Sequence, residues 1–435
     1  MSDTIRRAFD ALPTAGKVPA WLAPLRRAGM DRFAEVGFPG TRDEEWRFTP
    51  IAPIARTPFA PATPPARPVG RDDLAAFTFG HPEWPSLVFV NGRLAPDLST
   101  VPALPPGVLL TSLAEALATH PDLVEPHLAR QADPEATPFT ALNAAFIQDG
   151  AFLHVPKDAD LKDPVVLVFV TTPDQGGRMS HPRNLVVVEP GARASLVEIY
   201  VGLDQAAAYL TNAVTEVVLR ANAWLEHTRI QRESEAAWHM AFSHVHQERD
   251  SHYRSFALAM GASISRHNLH TRLDAPNTEA LLYGLSIAHR DQLVDNHTAI
   301  YHVQPDCRSW EMYKAILDDR ARGVFNGKVL VTPEAQKTDA KQTNRTLLLS
   351  PEAKIDTKPQ LEIFADDVKC THGATVGYLD ELPRFYFTSR GIPADRAEKL
   401  LTYAFAAEVL DEVRVDAVRA ELDRVIRRRL GVVEG

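Results

Sequence analysis

Between about Pro138 and Val376 the chain is a succession of short β-rich runs, and no other feature restricts its fold as much. Val165 to Val170, Leu185 to Val188, Ser195 to Val201, Val214 to Leu219 and Trp224 to Ile230 come first. His252 to Leu258, Ser263 to His270, Thr298 to His302, Val329 to Val331, Thr346 to Leu349 and Leu361 to Phe364 follow. No helix of convincing length interrupts them. Several stand beside a similar group of small residues: Gly191-Ala-Arg-Ala, Asn222-Ala-Trp, Gly261-Ala-Ser-Ile, Glu352-Ala-Lys-Ile and Gly373-Ala-Thr-Val. The first three lie roughly 30 to 40 residues apart, a period in the range of solenoid coils. Regularly spaced strands also suit a sandwich or barrel, but Asn-Gly hairpin turns are nearly absent here. The pattern predicts a mainly β chain with a β-helix core.

The flanks read differently. Trp21, Leu22, Leu25 and Phe33 recur at loosely helical spacing, and a turn with an aromatic, charged segment follows over Gly37 to Thr49. From Pro50 to Pro68 prolines crowd the chain and predict an extended connector, because proline disrupts helix interiors and central strands. Leu87 to Val90, Asn91-Gly92 and Arg93-Leu94 predict a hairpin on a type I′ turn. Thr111-Ser112 with Glu115 has capping-box spacing ahead of a short helix, Leu113 to Ala118. Beyond Gly377, Pro393 suits a first helical position, and an apolar stripe runs from Leu400 through Phe405, Val409, Val418 and Leu422 to Ile426. That stripe must cover either the β core or another protein. Arg427-Arg-Arg429 complements a helix C-terminus. The expected units are 1–137, helical and mixed with a proline-rich connector; 138–377, the β-helix; and 378–435, helical. A chain of 435 residues is long enough for two or three such units.

Charge and cysteine usage narrow the function. With 47 basic against 56 acidic residues the chain has no electrostatic footprint for nucleic acid. No apolar run approaches the roughly 20 residues that span a membrane. Met1-Ser-Asp-Thr-Ile-Arg-Arg lacks the apolar core of a secretory signal, and two cysteines make no disulfide framework. A soluble cytoplasmic protein is expected.

One of those cysteines, Cys370, stands two residues before His372 in Val368-Lys-Cys-Thr-His, which reads as a strand. Neighbours at i and i+2 point to the same face. A thiol and an imidazole side by side suit zinc, copper or iron–sulfur chemistry, yet four ligands usually close such a site. Either the pair is ordinary structure or a second surface completes it. Nine of the sixteen histidines fall between His239 and His302, and these are expected as polar residues on outward or half-buried strand faces. Asp366-Asp367 reads as a turn. No Walker, Rossmann, His-Glu-x-x-His or Gly-x-Ser-x-Gly signature is present.

Long stretches resemble the SufB/SufD family of the SufB–SufC–SufD iron–sulfur cluster assembly complex. The most specific are Asp295-Asn-His-Thr298, His302 with Pro305-x-Cys307-x-Ser309, and Val324-Phe-Asn-Gly327. Ala335 to Ala340, Asn344 to Ser350, Leu361 to Gly377, Phe385-Tyr386 and Ser389 to Ile392 continue the match. Weaker agreement reaches upstream through Glu189-Pro-Gly-Ala192 and Pro182-Arg183 to Glu45-Trp46, so most of the chain is covered. The resemblance implies a right-handed parallel β-helix flanked by an N-terminal domain and C-terminal helices. B-type members carry a cysteine just before the Arg-Gly-Ile motif, where this chain has Thr388, so it is similar to the D-type subunit. The resemblance assigns His372, and secondarily Cys370, to the interface where a nascent iron–sulfur cluster forms. It implies a non-enzymatic scaffold that pairs with a SufB-type subunit and docks SufC-type ATPases on its C-terminal helices. No tightly bound cofactor is expected in the isolated chain. Whether that chain homodimerises stays open. Cys307 is expected to be structural, and Pro383 departs from the family pattern in a connector. The alternative from another class is a β-helix lyase or hydrolase acting on polysaccharide, since fold alone does not decide function.

Overall fold

A computed structural model describes residues 2–12 and 19–432. Met1 of the N-terminal reading and residues 433–435 of the C-terminal unit lie outside them. Two parallel sheets are wound from one chain. Strand Arg183–Val188 lies in the first sheet, Arg193–Gly202 in the second, and Leu210–Leu219 in the first again. The alternation continues to Lys354–Ile363 and Lys369–Gly377, which end the two sheets. Successive strands stack without slip, as in the row Val214, Phe242, Asn268, His297, Asn326, Lys358. The core is therefore a parallel β-helix. Among the described residues no helix is long and apolar enough to cross a membrane.

The small-residue motifs belong to two different corners of the coil. At one corner a left-handed residue recurs about every 30 residues, the scale of a solenoid period: Asp158, Gly191, Asn222, Asp250, Asn277, Asp306 and Lys337. From Gly191 onward a small buried residue follows each: Ala192, Ala223, Ser251, Thr278, Cys307 and Thr338. Aspartate, asparagine and glycine tolerate that conformation, and a small neighbour lets the corners stack. Ala237, Ala262, Ala321 and Ala353 are buried at the opposite corner. Gly261-Ala262 and Glu352-Ala353 thus belong to a second stack, and Gly373 is mid-strand, not at a corner. Cys307 is one member of the first stack, with Thr278 Oγ1 3.0 Å from its sulfur.

Both outer faces are covered, so strands such as Val165–Thr171 are apolar up to their last residue instead of alternating. On the first sheet lie helices Leu22–Val36 and Pro138–Ala145. They approach closely at Gly29, where a Cβ would meet Ala141 O at 2.7 Å. The fully buried Arg183–Glu216 pair, 2.6 Å apart on neighbouring strands of this sheet, reaches the covering layer through Arg183 Nη1, which donates to Asn143 Oδ1 at 3.1 Å. Glu216 also accepts the backbone N–H groups of Ala129, Gln131 and Ala132 at 2.8, 2.9 and 3.0 Å. The proline-rich stretch is mostly extended, with a short helix Ala52–Arg56 and a two-residue strand Ala60–Pro61 on the sheet edge. The hairpin turn forms as expected, with Asn91 and Gly92 at φ 53° and 79°. Ser112 caps helix Leu113–Thr119 through Glu115 N.

Helices Ala394–Leu410 and Asp416–Arg429 cover the second sheet. Their stripe, Ala406, Val409, Val418, Leu422 and Ile426, packs with Ile230, Leu258, Leu285 and Ile316. The β core is thus what the stripe covers. Lys314, buried beneath them, donates to Phe405 O at 2.9 Å, and Arg254 pairs with Glu412 at 2.6 Å. Arg427 and Arg429 of the basic triplet are held by Asp423 and Glu235.

Candidate functional site

The solenoid is open at its C-terminal end. Strands Lys354–Ile363 and Lys369–Gly377 each have one free backbone edge and, unlike the strands before them, are half-buried to exposed along their whole length. Free edges of this kind are pairing templates that monomeric proteins normally cover or interrupt. Exposed apolar side chains lie on these strands and in the segments that follow them: Phe364 is 62% exposed, Leu382 73% and Phe385 68%, with Ile363, Val376, Tyr378 and Tyr386 also exposed. Helix Glu381–Thr388, capped by Asp380 on Leu382 N at 2.9 Å, carries three of them and contains Pro383 and Thr388.

Cys370 and His372 lie on the terminal strand and on its inward face, continuing the interior rows through Ala340 and Gln342. Their environments differ. Cys370 is half-buried against Val329, Val331, Ala335 and Ala340, and burial pushes its thiol up from the ordinary value. His372 is exposed and has no hydrogen-bond partner among the described residues. No group of three or more His, Cys, Asp or Glu side chains among the described residues could hold a metal ion. Asp366 and Asp367 sit in the loop before the strand, with Asp367 paired to Lys337.

Beneath His372 the interior is polar, which the alternation of the runs does not announce. Gln342 donates to Glu311 at 2.8 Å, and both are buried. Burial without a cationic partner pushes the Glu311 carboxyl up to about 7, against hydrogen bonds from Thr298 and Gln342. Further in, His227 contacts Tyr253 OH at 2.9 Å, Thr215 donates to Glu198 at 2.8 Å, and His239 pairs with Glu233. His239, His267 and His302 are therefore inward and buried, a correction to the outward or half-buried expectation. The reason is that these imidazoles find hydrogen-bonding partners inside the coil, such as Ser243 for His267 at 3.0 Å and Ser309 for His302 at 2.9 Å. His297 does face outward. With Asp295 and Arg266 it anchors Glu45-Trp46, and the Arg266 guanidinium lies 3.9 Å from the Trp46 ring centre.

His302 gives a pH prediction with a definite sign. Burial pushes its imidazole down to about 4. In the unfolded chain it titrates near 6.5, so above that pH both states are neutral and the group costs nothing. As pH falls from about 6.5 to about 4 the unfolded chain binds a proton that the folded chain refuses, and on the order of 3 kcal/mol of stability is lost. Urea denaturation at stepped pH should show this loss, and His302→Gln should shallow the slope by up to one proton.

Comparison with known proteins places the chain in a family. Residues 169–405 match the family described as SUF system FeS cluster assembly, SufBD core domain, and residues 14–167 match the SufBD protein N-terminal region. An iron–sulfur cluster assembly SufBD family protein of Synechocystis is 35% identical, the alignment covering 95% of this chain and 92% of that one. The iron–sulfur cluster assembly protein SufD of Escherichia coli is 30% identical over 94% of this chain and 93% of its own. The protein of the same name in Bacillus subtilis is 28% identical over 95% and 94%. A match of both family regions, with full-length relatives at this identity, has one conclusion: the chain belongs to the SufBD family of the SUF system and is a protein of iron–sulfur cluster assembly.

Proposed function

We propose that this chain is a non-catalytic scaffold subunit whose open solenoid end pairs with a SufB-type subunit, so that a nascent iron–sulfur cluster is built where the two ends meet. The supporting observation is the uncovered end itself: two free strand edges, exposed apolar side chains, and His372 exposed to solvent on the terminal strand's interior row. Strand addition to free edges supplies backbone hydrogen bonds, and the exposed apolar side chains supply burial. His372, with Cys370 beside it, offers too few ligands to hold a cluster alone and enough to complete a set begun by the partner's thiolates. The cluster is cargo here, and the isolated chain is expected to hold none tightly.

SufC-type ATPases dock, in this reading, on the solvent face of the C-terminal helices. Their inner face holds the second sheet together, so removing the helices would uncover its core. Substitutions on the solvent face are the cleaner test. The complex works in the cytoplasm. The polysaccharide-enzyme alternative rests on shared architecture alone, whereas the family match supports a role in iron–sulfur cluster assembly.

Co-expression with SufB- and SufC-type partners, followed by mass measurement of the purified complex, tests the assembly. Leu382→Asp with Phe385→Asp should leave the isolated chain folded, because both side chains are in water. Pairing should weaken by about 30-fold or more, the scale of losing a hot spot worth about 2 kcal/mol. Undiminished pairing in titration calorimetry would place the interface elsewhere.

A further inference from the structure

The Val324-Phe-Asn-Gly327 motif has no role in the reading above, and the structure supplies one. Gly327 lies on the interior face of the first sheet, opposite Gln342 on the second. A Cβ at position 327 would stand 2.1 Å from Gln342 Nε2, closer than any side chain allows. The missing side chain therefore makes the space that the Gln342 carboxamide fills. That carboxamide is held in one orientation, because its nitrogen donates to Glu311 Oε2 at 2.8 Å. Glu311 is itself fully buried and is further held by Thr298. With the nitrogen committed, the Gln342 oxygen is left buried without a donor. An unmet buried acceptor is costly, and its nearest interior neighbour toward the open end is the residue stacked on it, His372. Side chains in register on adjacent strands stand about 4.8 Å apart at their backbones, within reach of such a bond. His372 has no other partner among the described residues.

We propose that Gln342 is a positioning residue for His372: its carboxamide oxygen accepts one imidazole N–H, which fixes the tautomer and turns the other ring nitrogen, bare, toward the partner subunit. Gly327 and Glu311 serve by holding Gln342. Histidines that bind metals usually donate their second nitrogen to a carbonyl or carboxylate in this way, which sets the ring and raises its basicity. The inference rests on the proposal that His372 is the interface ligand.

The test uses the full-length isolated chain with 15N-labelled histidine, at a pH well above the usual imidazole range. His372 is assigned by its loss in His372→Ala. Long-range nitrogen–proton correlations should show a single tautomer for His372 in the wild type. Gln342→Met, which keeps length and removes the acceptor, should give averaged nitrogen shifts. Gly327→Ala should do the same by displacing Gln342, and it provides the answer should the methionine variant fail to fold. Unmoved signals from buried His302 report an intact coil. An averaged wild-type ring, or a single tautomer that survives both variants, overturns the proposal. In the assembled complex Gln342→Met should lower cluster yield by roughly tenfold, the usual cost of losing such a support. Adding it to His372→Ala should lower it no further. A fixed tautomer together with full cluster yield in His372→Ala would sink the interface reading and leave the positioning intact, so the two failures are distinguishable.

Discussion

Replacing Glu216 by leucine is expected to cost about 3–5 kcal/mol, the range measured when one partner of a buried ion pair is removed. The mechanism is specific. Arg183 and Glu216 are both fully buried, and the carboxylate also receives three backbone N–H groups from residues 129, 131 and 132. Without it, Arg183 keeps only Asn143 Oδ1 at 3.1 Å and Ala132 O at 3.4 Å, both uncharged. The segment that the three N–H groups tie down also loses its anchor. Arg183→Met together with Glu216→Leu should recover part of the loss, because the stranded cation is gone while the three donors still lack an acceptor. Thermal or urea denaturation of the three variants measures this. Equal stability of Glu216→Leu and wild type would mean that water reaches the site and compensates.

The second large effect is on the cargo. His372→Ala should leave folding and assembly with SufB- and SufC-type partners unchanged, since the imidazole is exposed and no core packing depends on it. On the proposed interface role of His372, cluster yield on the complex should fall by about tenfold or more, because the set of donors would then be short by one. Cys370→Ser should cost less, as that thiol is half-buried, held up from ionisation and packed like a small apolar side chain. Gel filtration reports assembly, and cluster absorbance after anaerobic reconstitution reports yield. Full yield in His372→Ala would return the pair to ordinary structure.

Some stretches of the fold are legible in the sequence and others are not. Apolar runs such as Val165 to Val170 are legible because both faces of the strand are covered and each of these positions is buried and apolar. Trp238–Gln247, Glu279–Ala288 and Arg308–Leu317 are strands of equal length that the runs do not reveal. Their interior positions carry His239, Ser286 and Glu311, and polar side chains satisfied inside a coil erase the contrast that a reader of periodicity relies on. The corner motif is visible as small residues, but glycine, asparagine and aspartate interchange at a left-handed position, so one corner resembles the other. Cys370 and His372 are legible as a pair from their spacing. Gln342 is not, because its importance depends on a glycine fifteen residues earlier on the opposite sheet.

The two ends of the coil are unlike, and that sets how many copies can join. At the far end the sheets finish in short antiparallel strands, Arg93–Leu94 and Leu109–Ser112, which are poor templates for a parallel neighbour. A solenoid sticky at both ends would stack head to tail into an open filament, as heterologous contacts do when rotation does not close them. Among the described residues this chain offers parallel edges at one end only, so pairing through them would close at two copies, and edges that would be a fibre hazard elsewhere would count out a stoichiometry of two.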